Sequence, residues 1–234
     1  MKHLFTVAFI STCVLNAGFA RADDEDQQLV REALEEFNVY IGEWKGHGSL
    51  PTDKLAIWKE NAYWGWKFKG NDRWLHLTVK NGKVIKGGDL KYDLDKDEYI
   101  FTATTKDKKS LVFRGKRKRT RLTLENTDPK TKEVKRIEML IAGGGIRFLY
   151  RYKVKPPNRT FYSEKLMVAF TKKGEALGAR KRGPECVVTG GRGTMAVSYD
   201  GKTYYVCCSG CRDAFNANPA KIIAEYKKRK RGGN

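Results

Sequence analysis

The stretch Ile-Arg-Phe-Leu-Tyr-Arg-Tyr-Lys-Val at residues 146–154 decides the fold class of this chain. Apolar and aromatic side chains occupy every second position, and Arg147, Arg151 and Lys153 lie between them. Successive side chains of a β-strand point to opposite faces, so this alternation predicts a strand with one buried face.

The same alternation continues on both sides of this strand. Trp64, Trp66 and Phe68 are separated by Gly65 and Lys67, and residues 75–79 and 161–170 follow the same rule. Turn-forming residues separate these runs at Asn71-Asp72, Asn81-Gly82, 93–97, 106–107, 126–130, 143–145 and 156–158. This rhythm predicts about eight to ten antiparallel strands between residues 41 and 170. Closure of such a meander into an up-and-down barrel removes its exposed edges, so we expect a mainly β fold built on a barrel.

One amphipathic helix is predicted before the barrel, because apolar residues recur at steps of three and four between Gln27 and Tyr40. Phe37 and the segment Ile41-Gly42-Glu43-Trp44-Lys45-Gly46 then resemble the opening of lipocalin-like barrels of the calycin type. A barrel of this kind suggests a carrier of haem or lipid. The candidate side chains for such a guest are His76, Trp64, Trp66 and Trp74.

Residues 1–22 have the composition of a cleavable secretory signal peptide. Lys2 and His3 precede an apolar run from Leu4 to Ala20, and small residues flank the expected cleavage site after Ala22. No later run has the roughly twenty apolar residues that a membrane-spanning helix needs. We therefore expect an exported protein, periplasmic or secreted, with no transmembrane segment after cleavage.

The chain is strongly basic, with 47 Lys and Arg residues against 27 Asp and Glu residues. The densest clusters are residues 116–121 and the predicted basic tail at 227–234. Such charge favours anionic partners, so an anionic surface or a polyanion is one predicted partner. A solvated basic surface is the alternative, since no aromatic-interleaved RNA motif accompanies the charge.

Four of the five cysteines lie within 26 residues near the carboxyl end: Cys186, Cys207, Cys208 and Cys211. Bridges in a disulfide-stabilised secreted fold are spread through the chain, whereas this clustering points to a local site. Asp200-Gly201 predicts a hairpin whose second strand delivers Cys207, and Ser209 is placed to cap a following helix. Glycines after Cys186 are expected to turn backbone amides towards its thiolate.

These cysteines suit a soft or borderline metal ion. Four sulfurs would hold tetrahedral zinc, and three suit trigonal copper(I) or leave a position open. Cys208 is the weakest ligand candidate, because neighbouring strand side chains diverge. One or two disulfides remain the alternative.

The order of residues over 183–226 resembles the YHS domain and the related TRASH heavy-metal-binding domain. The resemblance rests on Cys186, a hairpin ending in Tyr-Tyr-Val-Cys at 204–207, Cys211, Phe215 and Asn218-Pro219. It implies that Cys186, Cys207 and Cys211 bind metal and that Phe215 packs the short helix against the hairpin. Cys208 and the longer glycine-rich stretch after Cys186 depart from the family pattern.

The predicted organisation is a signal peptide at 1–22, a helix with a barrel at 23–170, a linker at 171–182, a cysteine module at 183–226 and the basic tail. The sequence contains no nucleophile elbow, phosphate loop or His-Glu-x-x-His motif, so we expect no enzymatic activity. The leading hypothesis is an exported zinc- or copper-binding protein. An envelope-associated scaffold with a purely structural cysteine module and a polyanion-binding surface is the alternative, beside the haem or lipid carrier.

Overall fold

The computed structural model describes residues 16–53, 55–174 and 183–232. Helix α1 (Asn16–Glu35) and a 3-10 turn (Asn38–Tyr40) precede ten strands. The strands are β1 (Gly42–Ser49), β2 (Trp58–Lys69), β3 (Asp72–Lys80), β4 (Ile85–Asp93), β5 (Glu98–Thr105), β6 (Ser110–Lys118), β7 (Arg121–Thr127), β8 (Val134–Ala142), β9 (Arg147–Lys155) and β10 (Ser163–Lys172). A 3-10 turn (Gly143–Gly145) joins β8 to β9.

The ten strands form a closed antiparallel barrel, which confirms the predicted fold class. Each strand pairs with its neighbours in sequence, and β1 pairs with β10 from Trp44↔Lys172 to Ser49↔Met167. Closure satisfies the backbone groups that the first and last strands would otherwise expose.

Inward-facing side chains of the ten strands fill the barrel. On β9 the side chains of Phe148, Tyr150 and Val154 are buried, as the alternation over residues 146–154 predicts. The largest fully buried side chains include Trp44, Trp64, Trp66, Phe101 and Phe113. Aromatic side chains each bury a large apolar area, so this interior is a packed core.

The amino-terminal segment closes one end of the barrel. Helix α1 ends at Glu35, five residues before the predicted end, because hydrogen bonds from Phe37 N to Leu34 O and from Tyr40 N to Phe37 O tighten the chain into 3-10 geometry. Phe37 packs edge-on against Tyr99, with ring centroids 5.0 Å apart. Trp44 donates from Nε1 to Tyr40 O at 2.6 Å, which ties this segment to β1.

The carboxyl-terminal unit is small. It consists of β11 (Met195–Tyr199), β12 (Lys202–Val206), α2 (Ser209–Ala217) and α3 (Pro219–Gly232). Asn218 ends α2, and its Oδ1 accepts a hydrogen bond from Lys221 N at 3.2 Å, so it also caps α3. Pro219 then occupies the first helical position, where its missing N–H is not needed.

Several predicted boundaries differ from the structure. Residues 171–172 of the expected linker belong to β10, and 175–182 lie outside the described residues. The basic tail is part of α3 as far as Gly232. The expected leader overlaps α1 at residues 16–22, and residues 1–15 lie outside the described part of the chain. Among the described helices, none combines the length and apolarity that crossing a membrane requires.

Candidate metal centre

Three thiols meet at one point of the carboxyl-terminal unit. The Sγ atoms of Cys186, Cys207 and Cys211 all lie within 4.8 Å of one another. Those of Cys207 and Cys211 are 3.5 Å apart. Two ligands at about 2.3 Å from a tetrahedral ion would be about 3.8 Å apart, so the group has the dimensions of a thiolate metal site.

A tight turn positions Cys186. Cys186 N donates to Gly191 O at 2.6 Å, and Gly190 N donates to Cys186 O at 2.9 Å. Gly190 has φ +71°, a conformation that glycine adopts without strain. The sequence-based expectation of glycine amides at the thiolate needs correction. The hydroxyl and backbone amide near this sulfur are those of Thr189, while Gly190 closes the turn.

The hairpin delivers Cys207, as predicted. Asp200 and Gly201 have φ of +50° and +67°, the two positive values that a type I′ turn needs. Tyr199 pairs with Lys202 across this two-residue loop, and β12 ends one residue before Cys207. The Thr189 hydroxyl lies 3.5 Å from Cys207 Sγ.

Cys211 lies in the first turn of α2, where its sulfur is fully buried. The positive end of the helix dipole favours a thiolate at this position. The residue before the helix is Cys208, so it occupies the cap position that the sequence analysis assigned to Ser209. Phe215, one turn after Cys211, packs on Tyr204 of β12 with ring centroids 5.8 Å apart.

Cys208 points its sulfur towards the barrel. Its Sγ accepts a hydrogen bond from Trp66 N at 3.3 Å. It also contacts the thiols of Cys207 and Cys211, but it is outside the group of three that share one centre. All four cysteines are free thiols and at most 7% exposed.

The thiols share protons unequally. Hydrogen bonds from the Cys207 and Cys211 thiols lower the pKa of Cys186 and of Cys208. Hydrogen bonds to Cys186 and Cys208 raise the pKa of Cys207, and burial raises the pKa of Cys211. The cluster without metal therefore retains protons, which an incoming cation must displace.

Strand β2 provides the docking edge for this unit. Its last pair with β1 is Trp64↔Gly42, so the backbone beyond Trp64 extends past its neighbour. Cys208 Sγ binds Trp66 N, and a Cβ atom added at Gly210 would lie 1.8 Å from Trp66 O. Only glycine fits so close to a strand backbone. The amino end of α2 therefore covers the protruding edge of β2.

Asn38 completes the junction. Its Nδ2 donates to Thr189 O at 2.7 Å, and its Oδ1 accepts from Trp66 Nε1 at 3.0 Å. One side chain therefore joins the Cys186 turn to the barrel core. The sequence does not show that Asn38 and Trp66 support the thiol cluster, because both residues are more than a hundred positions away from the cysteines.

Arg229 of α3 returns to the same turn. Its guanidinium lies 3.3–3.4 Å from the carbonyl oxygens of Cys186, Val187 and Val188. Arg229 also forms an ion pair with Glu185 at 3.7 Å, and Lys230 pairs with the same carboxylate. The predicted basic tail therefore contributes structural contacts to the Cys186 turn.

The other basic cluster is also partly neutralised. Lys116 pairs with Asp97 at 2.7 Å, and Arg117 pairs with Glu36. Lys118 and Arg119 are exposed. The cluster therefore offers a polyanion fewer free charges than its sequence suggests.

The four candidate guest-binding residues of the barrel do not share one pocket. Trp64 and Trp66 are 2% and 1% exposed within the core. His76 and Trp74 lie on the outer side of β3, where both bind Asp89 Oδ1, at 2.6 Å and 3.0 Å. Leu75 and Leu77 are the residues of β3 that face the core, so Trp74 and His76, at the alternate positions, face outward.

The core cavity beside Trp64 is very small. It leaves about 10 Å³ for the centre of a water-sized sphere, about what one water molecule needs. Tyr150 Oη and Trp64 Nε1 have no hydrogen-bond partner among the described residues, and Glu60 accepts from Trp58 Nε1 at 2.9 Å. A pocket for haem or lipid is some hundreds of Å³. The cavity beside Trp64 is therefore too small for either guest.

Comparisons with known proteins assign the chain to no family. No protein-family model matches the chain, and no curated protein matches it. Among solved structures, the chain is similar to the crystal structure of Rv2717c from M. tuberculosis at 13% sequence identity. That similarity covers 60% of this chain and 97% of the other, with a TM-score of 0.40. Likeness at this level carries no argument about fold or function.

Proposed function

We propose that this chain is an exported, non-enzymatic metal-binding protein whose Cys186, Cys207 and Cys211 thiolates hold one soft or borderline ion, zinc or copper. The observation that carries the proposal is the convergence of three sulfurs from a turn, a strand end and a helix start. Thiolate sulfur is the ligand that selects zinc and copper(I).

The burial of the sulfurs supports a binding role over a catalytic one. The three candidate ligands are between 0% and 7% exposed. Catalytic zinc sites keep one coordination position open to water or substrate. A site closed in this way suits storage, sensing or transfer of an ion, or stabilisation of the unit.

The resemblance to YHS and TRASH domains gives further support. Its pattern of a cysteine after a turn, a hairpin ending in Tyr-Tyr-Val-Cys and a second cysteine at a helix start corresponds to the local structure of residues 183–217. Export rests on the composition of residues 1–22 alone. It is tested by the mass of the mature protein, which should correspond to a chain beginning at Asp23.

A structural ion is the second candidate function, and the junction at Trp66 favours it. The ligands come from the Cys186 turn, the end of the hairpin and α2, so an ion would hold these parts of the unit together beside the contact of Cys208 with Trp66. The two roles differ under chelation. A structural ion, when removed, should unfold residues 183–226 while the barrel persists, whereas a functional site should stay folded and rebind metal.

Elemental analysis of anaerobically purified full-length protein tests the proposal. We expect one equivalent of zinc or copper in the parent and loss of it in Cys211→Ser. The matched control is Cys208→Ser, the adjacent thiol outside the group of three, which should retain the ion. Substoichiometric metal in the parent, or equal content in Cys211→Ser and the parent, would contradict the proposal and favour disulfides.

A further inference from the structure

A second pocket lies between the barrel and the cysteine unit. It is formed by the β2–β3 hairpin on one side and by α2 and α3 on the other, and its volume is about 500 Å³. Pockets for small molecules occur preferentially at such junctions between structural units, and this volume is in their usual range. None of the candidate metal ligands lines it.

The charge of the lining favours a single negative charge. Lys67, Arg73 and Lys221 line the pocket together with Asp213 and Glu225. Three cations against two carboxylates leave one formal positive charge. A monoanion would balance it, whereas a dianion would meet the two carboxylates with excess charge.

Arg73 is the most buried of the three cations in this lining. It is half-buried, and its Nε is inaccessible to solvent without a hydrogen-bond partner among the described residues. Burial and then the positive charge of Arg31 lower its pKa, while the carboxylates of Glu225 and Glu35 act in the opposite direction. A guanidinium binds a carboxylate through two parallel hydrogen bonds.

The remainder of the lining is apolar. Phe68, Val188 and Ile222 face the same space, together with Ala214 and Ala217 of α2. Phe68 stacks on Trp66, with ring centroids 5.9 Å apart, so this wall continues into the barrel core. A ligand that fills the pocket therefore needs a short hydrocarbon part beside its charge.

We propose that this pocket binds a small organic monoanion, a carboxylate with a short aliphatic chain, with Arg73 as its principal partner. The carboxylate lies against the Arg73 guanidinium and the Lys221 ammonium. The hydrocarbon chain lies against Phe68 and Ile222. None of the three candidate metal ligands lines this site.

Calorimetric titration of the full-length protein with pentanoate tests the proposal. We expect saturable binding with a Kd of about 1 mM or tighter. Pentanamide, which has the same shape without the charge, should show no saturation. Arg73→Leu should weaken pentanoate binding at least about tenfold, and Arg73→Lys should retain part of it. Arg121→Leu, an exposed arginine on β7, is the matched control and should bind as the parent does.

Lys221→Glu and titration with inorganic phosphate complete the test. If Arg73→Leu does not fold, Lys221→Glu decides, since Lys221 is exposed and the substitution reverses its charge at the pocket. It should weaken binding by a similar factor. Equal binding of pentanamide, tighter binding of inorganic phosphate, or unchanged affinity in a folded Arg73→Leu or Lys221→Glu variant would overturn the proposal.

Discussion

Replacement of Gly210 by alanine tests how the cysteine unit is held on the barrel. A Cβ atom at this position would lie 1.8 Å from Trp66 O, whereas real Cβ contacts are essentially never closer than 3.0 Å. Strand β2 is fixed in the barrel, so α2 has to move away by more than 1 Å. The hydrogen bond from Trp66 N to Cys208 Sγ, 3.3 Å long, would then be broken.

Two opposing effects determine whether Gly210→Ala raises or lowers the free energy of unfolding. Alanine in place of glycine inside a helix stabilises it by about 1 kcal/mol. Overpacking costs about 1–3 kcal/mol, and a buried N–H left without a partner costs about 1–3 kcal/mol more. We therefore expect Gly210→Ala to lower the free energy of unfolding by about 2 kcal/mol or more. For a domain of this size that loss lowers Tm by about 4–8 °C.

Urea and thermal unfolding followed by tryptophan fluorescence measure this change. The control is Asn216→Ala, an exposed position of the same helix, which should leave stability unchanged or raise it slightly. A Gly210→Ala protein that is more stable than the parent would refute the docking geometry, because helix propensity alone would then explain the result.

Glu60, the thiol cluster and Arg229 each give one further prediction. Burial raises the pKa of Glu60 in the folded protein above its value in the unfolded chain, so the free energy of unfolding falls as pH rises from the unfolded to the folded pKa. Urea unfolding measured at several pH values should show a weaker fall in Glu60→Gln. Because the pKa values of Cys207 and Cys211 are raised, zinc binding releases protons and weakens as pH falls. Calorimetry in two buffers of different ionisation enthalpy should detect this proton release. Cys211→Ser should show no proton release on addition of zinc. Arg229→Ala removes the contacts to the carbonyl of Cys186 and should cost about 1–2 kcal/mol of stability by urea unfolding; a value equal to the parent would show that these contacts contribute nothing.

The barrel could be predicted because strand periodicity is a local property. The alternation around Phe148 and Tyr150 appears in the sequence without any knowledge of partners, and the turn residues give the strand boundaries. The amphipathic spacing after Gln27 also predicted a helix, but it did not show the change to 3-10 geometry after Glu35. That change depends on burial of Phe37 and Tyr40 in the barrel end, which is tertiary packing.

The candidate site was predictable only in its local part. Asp200-Gly201 gave the hairpin, and cysteine spacing gave three sulfurs that converge. The supports from Asn38, Trp66 and Arg229 could not be predicted, since each contact joins segments distant in sequence. Likewise, alternation could not show whether His76 or Leu75 faces the interior until the core side of β3 was known.

Cys207 and Cys208 are adjacent in sequence and connect the thiol cluster to the barrel. Cys207 is at the end of β12, and its sulfur joins the group of three. Cys208 has extended backbone geometry, with φ −158° and ψ 171°, so its side chain leaves the chain in a different direction and reaches Trp66 N. An ion that orders Cys207 and Cys211 therefore also fixes Cys208 against β2. By reciprocity, docking of Cys208 on the barrel pre-orders the ligands and should tighten metal binding, so Cys208→Ala should weaken affinity without changing the number of ions bound.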